Sequence, residues 1–182
     1  MANVFESYVQ TPVNLPLVGE QEIIATVEHL DLPIEEYFVL GGANLVLRGI
    51  RRATTDLDVL VSDELFGSLQ QVDGSEIKLP PKPAIRRGAS NTTVWVKNNR
   101  TPIPLSATTS LGDGYYPMSF ESHKDRVELV QGIPCIALDE VIAAKSALQR
   151  EKDLLDLEDI GRYLGRVIPL SLNPVIRPLE LS

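Results

Sequence analysis

The chain has 182 residues, 43% of them hydrophobic and 23% charged, with a formal net charge of −8. That balance belongs to a globular domain and excludes a disordered chain. Cys135 is the single cysteine, which excludes a disulfide scaffold or a cysteine-based zinc site within one chain and makes a reducing cytoplasm the expected compartment. No apolar run approaches the ~20 residues a membrane helix needs. The excess of carboxylates argues against general DNA binding or an anionic membrane partner, because both depend on Lys and Arg meeting phosphate.

Residues 1–17 read as an arm carrying Pro12 and Pro16. Residues 18–168 read as one domain, and 169–182 as an extended tail. Val18 to Leu30 has apolar residues at helical spacing, with Glu20 and Glu22 early, where the helix dipole favours acids. Tyr37 to Leu40 is short, aromatic and β-branched, and reads as a buried strand. Gly41-Gly42 ends it, and Ala43 to Ile50 reads as a short helix. Leu57 to Val61 alternates as a strand, and Asp63 is placed to cap a helix from Glu64.

Further on, Glu76 to Leu79 and Thr92 to Lys97 read as strands joined through the stiff segment Pro80-Pro81-Lys82-Pro83. Trp95, inside the second of them, reads as core or interface. The prolines in Arg100 to Ser106 mark that segment as an edge strand. Arg126 to Val130 and Ile133 to Leu138 pair around Gln131-Gly132. Two helices follow within 139–164: Asp139 to Gln149, then about Glu151 to Leu164 with Leu154, Leu157, Ile160 and Leu164 as its apolar stripe. The order gives an α/β (α+β) fold: a mixed sheet flanked by helices, with two C-terminal helices.

The densest chemical signal lies between Val39 and Val61. Gly41-Gly42 permits a sharp turn and close approach of backbone to a ligand. Residues two apart on a strand point the same way, so Asp56 and Asp58 put two carboxylates side by side near those glycines. Two like charges that close need a cation between them. A hard divalent ion, Mg²⁺ or Mn²⁺, shared with substrate phosphates meets that need.

The stretch FVLGGANLVLRGIRRATTDLDVLV, with two glycines, thirteen residues and then Asp56-Leu57-Asp58, resembles the signature of the DNA polymerase β-like nucleotidyltransferase superfamily. A second block, from Ile133 through LDEVIAAKSA to REKDLLD, is similar to the C-terminal part of the minimal and AbiEii-type nucleotidyltransferases. There a helical Lys-x-x-Ala precedes Arg-x-Lys-Asp-x-x-Asp. The resemblance spans roughly residues 37–164. It implies a polymerase β-like core and Mg²⁺-dependent (or Mn²⁺-dependent) transfer of a nucleoside monophosphate from an NTP to an acceptor hydroxyl, with pyrophosphate released.

Carried over by residue, Asp56 and Asp58 match metal ligands. Gly41, Gly42 and Asn44 match the nucleotide-phosphate loop. Lys145 matches the helical lysine, assigned both catalytic and nucleotide-binding, and Asp153 and Asp156 match the last acidic motif. Arg51, Arg52 and Thr55 are further nucleotide-binding candidates, and Arg48 adds to the positive charge nearby. The acceptor classes the resemblance allows are RNA or tRNA, a protein, or a small molecule, and a toxin–antitoxin setting would add a cognate partner protein.

Active members carry a third carboxylate on a later strand. Here Pro104 stands where it is expected, and no Asp or Glu occurs between Glu76 and Asp113. Asp113 or His123 are the substitutes within the chain. The alternative is a catalytically degenerate nucleotidyltransferase fold that binds nucleotide or protein. Arg86-Arg87 reads as a solvated loop, and Lys152 as surface charge pairing on its helix.

Overall fold

Alternating and helical hydrophobic patterns along the chain meet in one central sheet. The computed structural model describes residues 17–79, 92–111 and 116–170. The proposed arm (apart from Leu17), the Pro80–Pro83 segment, Arg86-Arg87, Asp113 and nearly all of the tail lie outside them.

The elements are α1 (Glu20–Leu30), β1 (Tyr37–Val39), α2 (Gly41–Leu47), β2 (Leu57–Val61), α3 (Asp63–Leu69), β3 (Ser75–Lys78), β4 (Thr93–Val96), β5 (Leu105–Thr108), β6 (Ser110–Leu111), β7 (Met118–Ser119), α4 (Phe120–His123), β8 (Val127–Val130), β9 (Ile133–Ile136), α5 (Leu138–Leu148) and α6 (Glu151–Leu164). Seven strands form one sheet in the order β3-β4-β5-β2-β1-β9-β8. The β2–β5 and β1–β9 pairs are parallel and the others antiparallel. This is the mixed α/β architecture expected from the sequence. Among the described residues, no helix is long and apolar enough to cross a membrane.

Side chains alternate across the sheet, and each face builds its own core. Val39, Leu57, Val59, Val94, Leu105, Ala107 and Cys135 point to one face, where α1 adds Ile23 and α3 adds Leu65 and Leu69. Phe38, Leu60 and Ile136 point to the other, where α5 adds Val141, α6 adds Ile160, and Phe120 stacks on Phe38 with centroids 5.7 Å apart. This second core draws on β1, β2 and β9 and includes no residue of β3, β4 or β5 among those described. The α5–α6 hairpin thus covers half of its face, and Asp58, between Val59 and Leu57 on that same face, stands where the cover ends.

Three local expectations change. Ser62, not Asp63, caps α3: its hydroxyl accepts from Leu65 N–H at 3.0 Å, which places Asp63 inside the first turn. Segment 100–106 is not an edge strand. Pro102 and Pro104 precede β5, which runs centrally between β2 and β4, so neither proline interrupts the ladder. The glycines open α2 rather than preceding it. The turn at Gln131 and Gly132 forms as expected, with φ of 52° and 79°, the geometry that joins tightly paired antiparallel strands.

Candidate active site at the sheet edge of the helical hairpin

Asp56 and Asp58 are held by the backbone on both sides. Leu40 N–H donates to Asp58 C=O at 2.8 Å, and Leu57 N–H donates to Pro104 C=O at 2.9 Å. Thr55 Oγ1 donates to Asp56 Oδ1 at 3.1 Å, and buried Thr54 bonds the Asp56 carbonyl. Burial and then the neighbouring Asp56 raise the Asp58 carboxyl from 3.8 to about 7, with Lys152 and the Ser106 hydroxyl opposing.

The parallel register of β2 and β5 sets what faces this pair. Ser106 lies abreast of Asp58, and continuing the register puts Pro104 abreast of Asp56. Neither brings a carboxylate; Ser106 brings a hydroxyl abreast of Asp58, which opposes the rise of its carboxyl. Among the described residues, no group of three His, Cys, Asp or Glu is arranged to hold a metal. The donors present are all hard oxygens, which fits Mg²⁺ or Mn²⁺ completed by phosphate and water rather than a closed zinc site.

Gly41 and Gly42 pack directly against this centre. Gly41 has φ of 55°, a left-handed conformation that side chains resist, and a Cβ there would sit 3.6 Å from Asp58 Oδ2. A Cβ on Gly42 would lie 2.8 Å from Thr54 Oγ1 and 3.0 Å from Arg51 Nη1. The glycines therefore bring backbone to the aspartates on one side and leave space for Arg51 on the other.

Arg51 joins the two sequence blocks. Its Nη1 lies 3.5 Å from Asp156 Oδ1 on α6. Asp156 also takes the Lys145 ammonium at 2.7 Å, and Lys145 reaches Asp153 at 3.4 Å. Arg150 holds Asp153 with Nε at 2.6 Å, Nη2 at 3.0 Å and its own N–H at 3.1 Å. Burial pushes the Asp153 carboxyl up, but the Arg150 hydrogen bonds and charge, with Lys145, outweigh it and hold that carboxyl below its ordinary value. Lys145, Asp153 and Asp156 are all buried, so this cluster staples α5 to α6 and, through Arg51, to the glycine turn.

The remaining candidates lie apart. Asn44 is fully buried; its amide donates to Val39 C=O and Ile136 C=O at 3.2 and 2.9 Å, and its oxygen accepts from Arg48 Nε at 2.7 Å. It braces β1 and β9 against α2. Arg48 turns the same way, to Glu128 at 2.7 Å, so its charge serves the β8–β9 side. Arg52 is exposed. His123 sits on α4, with Nδ1 2.7 Å from Ser122 Oγ and Nε2 3.9 Å from Glu140.

Two residues of the site were not read from the sequence as functional. Ser106 was hidden because strand register decides which residue faces Asp58. Lys152 was read as surface pairing, yet its charge acts on Asp58. Its signal was the i, i+4 spacing to Asp156, which sets both on one row of α6.

No family model matches the chain, and no curated protein matches it in sequence. A crystal structure from Thermotoga maritima, described as a "putative nucleotidyltransferase", superposes with a TM-score of 0.53 at 14% identity, covering 80% of this chain and 91% of that one. Two Helicobacter pylori structures, one given the same description, have TM-scores of 0.48 and 0.47 at 16% identity; each covers 79% of this chain, and they are covered over 67% and 65% of their own lengths. The fold of this chain is the one seen in the Thermotoga maritima protein, a mixed sheet flanked by helices; in this chain Asp58 lies on the central strand β2 and Asp56 just before it.

Proposed function

We propose that the chain is a nucleotidyltransferase of the minimal, AbiEii-like kind. The carrying observation is the Asp56–Asp58 pair, half-buried and two residues apart, with the Gly41 backbone packed against Asp58 and Arg51 on the far side of the same glycine turn. A scaffold has no physical need for a carboxylate raised by burial and by a second one beside it, whereas a site that receives a divalent cation with a triphosphate does.

Asp56 and Asp58 would hold Mg²⁺ or Mn²⁺, which would supply positive charge against the triphosphate. The glycine turn admits the phosphates close to backbone. Arg51 offers a planar guanidinium to them, and Lys152 a mobile point charge. An acceptor hydroxyl oxygen forms a bond to the α-phosphorus as the bond to the bridging oxygen breaks. Pyrophosphate leaves with that electron pair, and the hydroxyl proton passes to solvent. Most of the work is positioning and charge stabilisation, as phosphoryl-type transfers require.

A second reading, a nucleotide-binding module without transfer, is favoured by the lack of a third carboxylate among the described residues. One experiment separates the two. The protein is incubated with each radiolabelled NTP, Mg²⁺ or Mn²⁺ and a cell extract, beside an Asp56→Ala/Asp58→Ala variant. Label transfer by wild type alone supports the enzyme and reveals the acceptor. NTP binding without transfer in any extract would leave the binding module.

A further inference from the structure

The register of four strands sets a line of side chains on one face of the sheet. Asp58 on β2 pairs Ser106 on β5, Ser106 pairs Trp95 on β4, and Trp95 pairs Glu76 on β3. Trp95 is only half-buried and, among the described residues, belongs to neither hydrophobic core. Of the two expectations for Trp95, core or interface, the core is not met. The Lys78 ammonium lies over its ring, 3.9 Å from the centroid. Exposed Lys97 follows β4 directly, two residues beyond Trp95.

The direction of the reaction gives this line a meaning, and the argument rests on the nucleotidyltransferase reading. The glycines, Arg51 and Lys152 lie on the α2–α6 side of Asp58, which is where the leaving phosphates belong. Attacking and leaving oxygens stand roughly in line across the transferred phosphorus, so the acceptor approaches from the opposite side, over Ser106 and Trp95. Two strand spacings, about 10 Å, separate Trp95 from Asp58, a span that a terminal nucleotide can bridge.

We infer that Trp95, with Lys78 and Lys97, is an acceptor platform that stacks the terminal base of a single-stranded nucleic acid and meets its phosphates. A half-buried indole with a mobile ammonium over its ring suits a base and its phosphates together, because the Lys78 side chain can swing from the ring to a phosphate as the base stacks. Few cations suffice, because only the end of the strand is held, which reconciles this surface with a net charge of −8.

Trp95 is the only tryptophan, so its fluorescence reports the platform directly. A short single-stranded RNA, and its DNA counterpart, are titrated into the full chain in the absence of NTP. Saturating quenching of the wild type is expected. The Trp95 variants carry no tryptophan, so all affinities are compared by anisotropy of a fluorophore-labelled strand: Trp95→Leu should weaken binding about 5- to 150-fold and Trp95→Phe should largely retain it. Two phosphate contacts predict a slope near −1.4 in log affinity against log salt, reduced by about half in Lys78→Ala. Lys78→Ala keeps the reporter and guards against a misfolded Trp95 variant.

Absent quenching by either strand, or unchanged affinity in Trp95→Leu, overturns the platform. Quenching by an NTP but not by either strand also overturns it, since the ring would then face the donor base. NTP binding is measured separately by calorimetry. Its absence alongside intact strand quenching sinks the nucleotidyltransferase reading and leaves Trp95 as a nucleic-acid contact.

Discussion

Asp58→Asn should make the metal-free protein more stable, although Asp58 is placed at the reactive centre. Burial and Asp56 together move the Asp58 carboxyl from 3.8 to about 7. A shift of that size penalises the charged form by about 4 kcal/mol, and because Asp58 keeps some solvent contact, screening reduces the expected effect to about 2 kcal/mol. The sign follows from linkage. The folded pKa lies above the unfolded one, so below about pH 4 both states are protonated and nothing is lost. As pH rises from 4 through 7 the unfolded chain ionises first, and stability falls. Asparagine keeps the shape and removes the charge. Urea unfolding at pH 4, 6 and 8 without metal should show wild type losing stability across this range and Asp58→Asn losing less, with about 2 kcal/mol between them at pH 8. Millimolar Mg²⁺ should stabilise wild type and not the variant. A variant less stable than wild type at pH 8, or equally stabilised by Mg²⁺, would refute the electrostatic reasoning.

Three further outcomes follow from the same contacts. Lys145→Met leaves Asp153 and Asp156 buried with less opposing charge, and should cost about 3–5 kcal/mol in urea unfolding; a loss below 1 kcal/mol would show that Arg150 and Arg51 suffice. Gly42→Ala forces a methyl against Thr54, which is pinned by paired backbone bonds to Val18 at 2.8 and 2.9 Å; about 1–3 kcal/mol of destabilisation is expected, with weakened NTP affinity by calorimetry. Burial pushes the Cys135 thiol up to about 12, so a thiol-exchange reagent at pH 8 should label it only on unfolding, and rapid labelling of the native protein would contradict its place in the core.

The long periodic segments were legible because their local and tertiary preferences agree. Helix α6 has the bounds its pattern predicts and β2 coincides with its alternating run, but of the expected apolar stripe only Leu157 and Ile160 are buried: Leu154 and Leu164 are exposed, because the Lys145–Asp153–Asp156 cluster turns the aspartates inward. Segment 100–106 was misread because two prolines argue against a central strand, and only the chain path shows that they lie just before it. Lys145 illustrates a limit of another kind. Its position in a motif was visible, but its burial between two aspartates depends on how α5 meets α6.

By itself the sequence determined the pattern: two glycines at a strand end, carboxylates two residues apart on one face, and a second charged block far along the chain. Those follow from spacing and backbone periodicity. The tertiary structure decided which groups meet. Strand register put Ser106 rather than Pro104 abreast of Asp58 and set Trp95 on the same line. Packing of α6 against the glycine turn joined Arg51 to Asp156 across 105 residues. Such contacts depend on sheet order and helix docking, which are fixed by the burial of whole faces and leave no mark in the spacing of neighbouring residues.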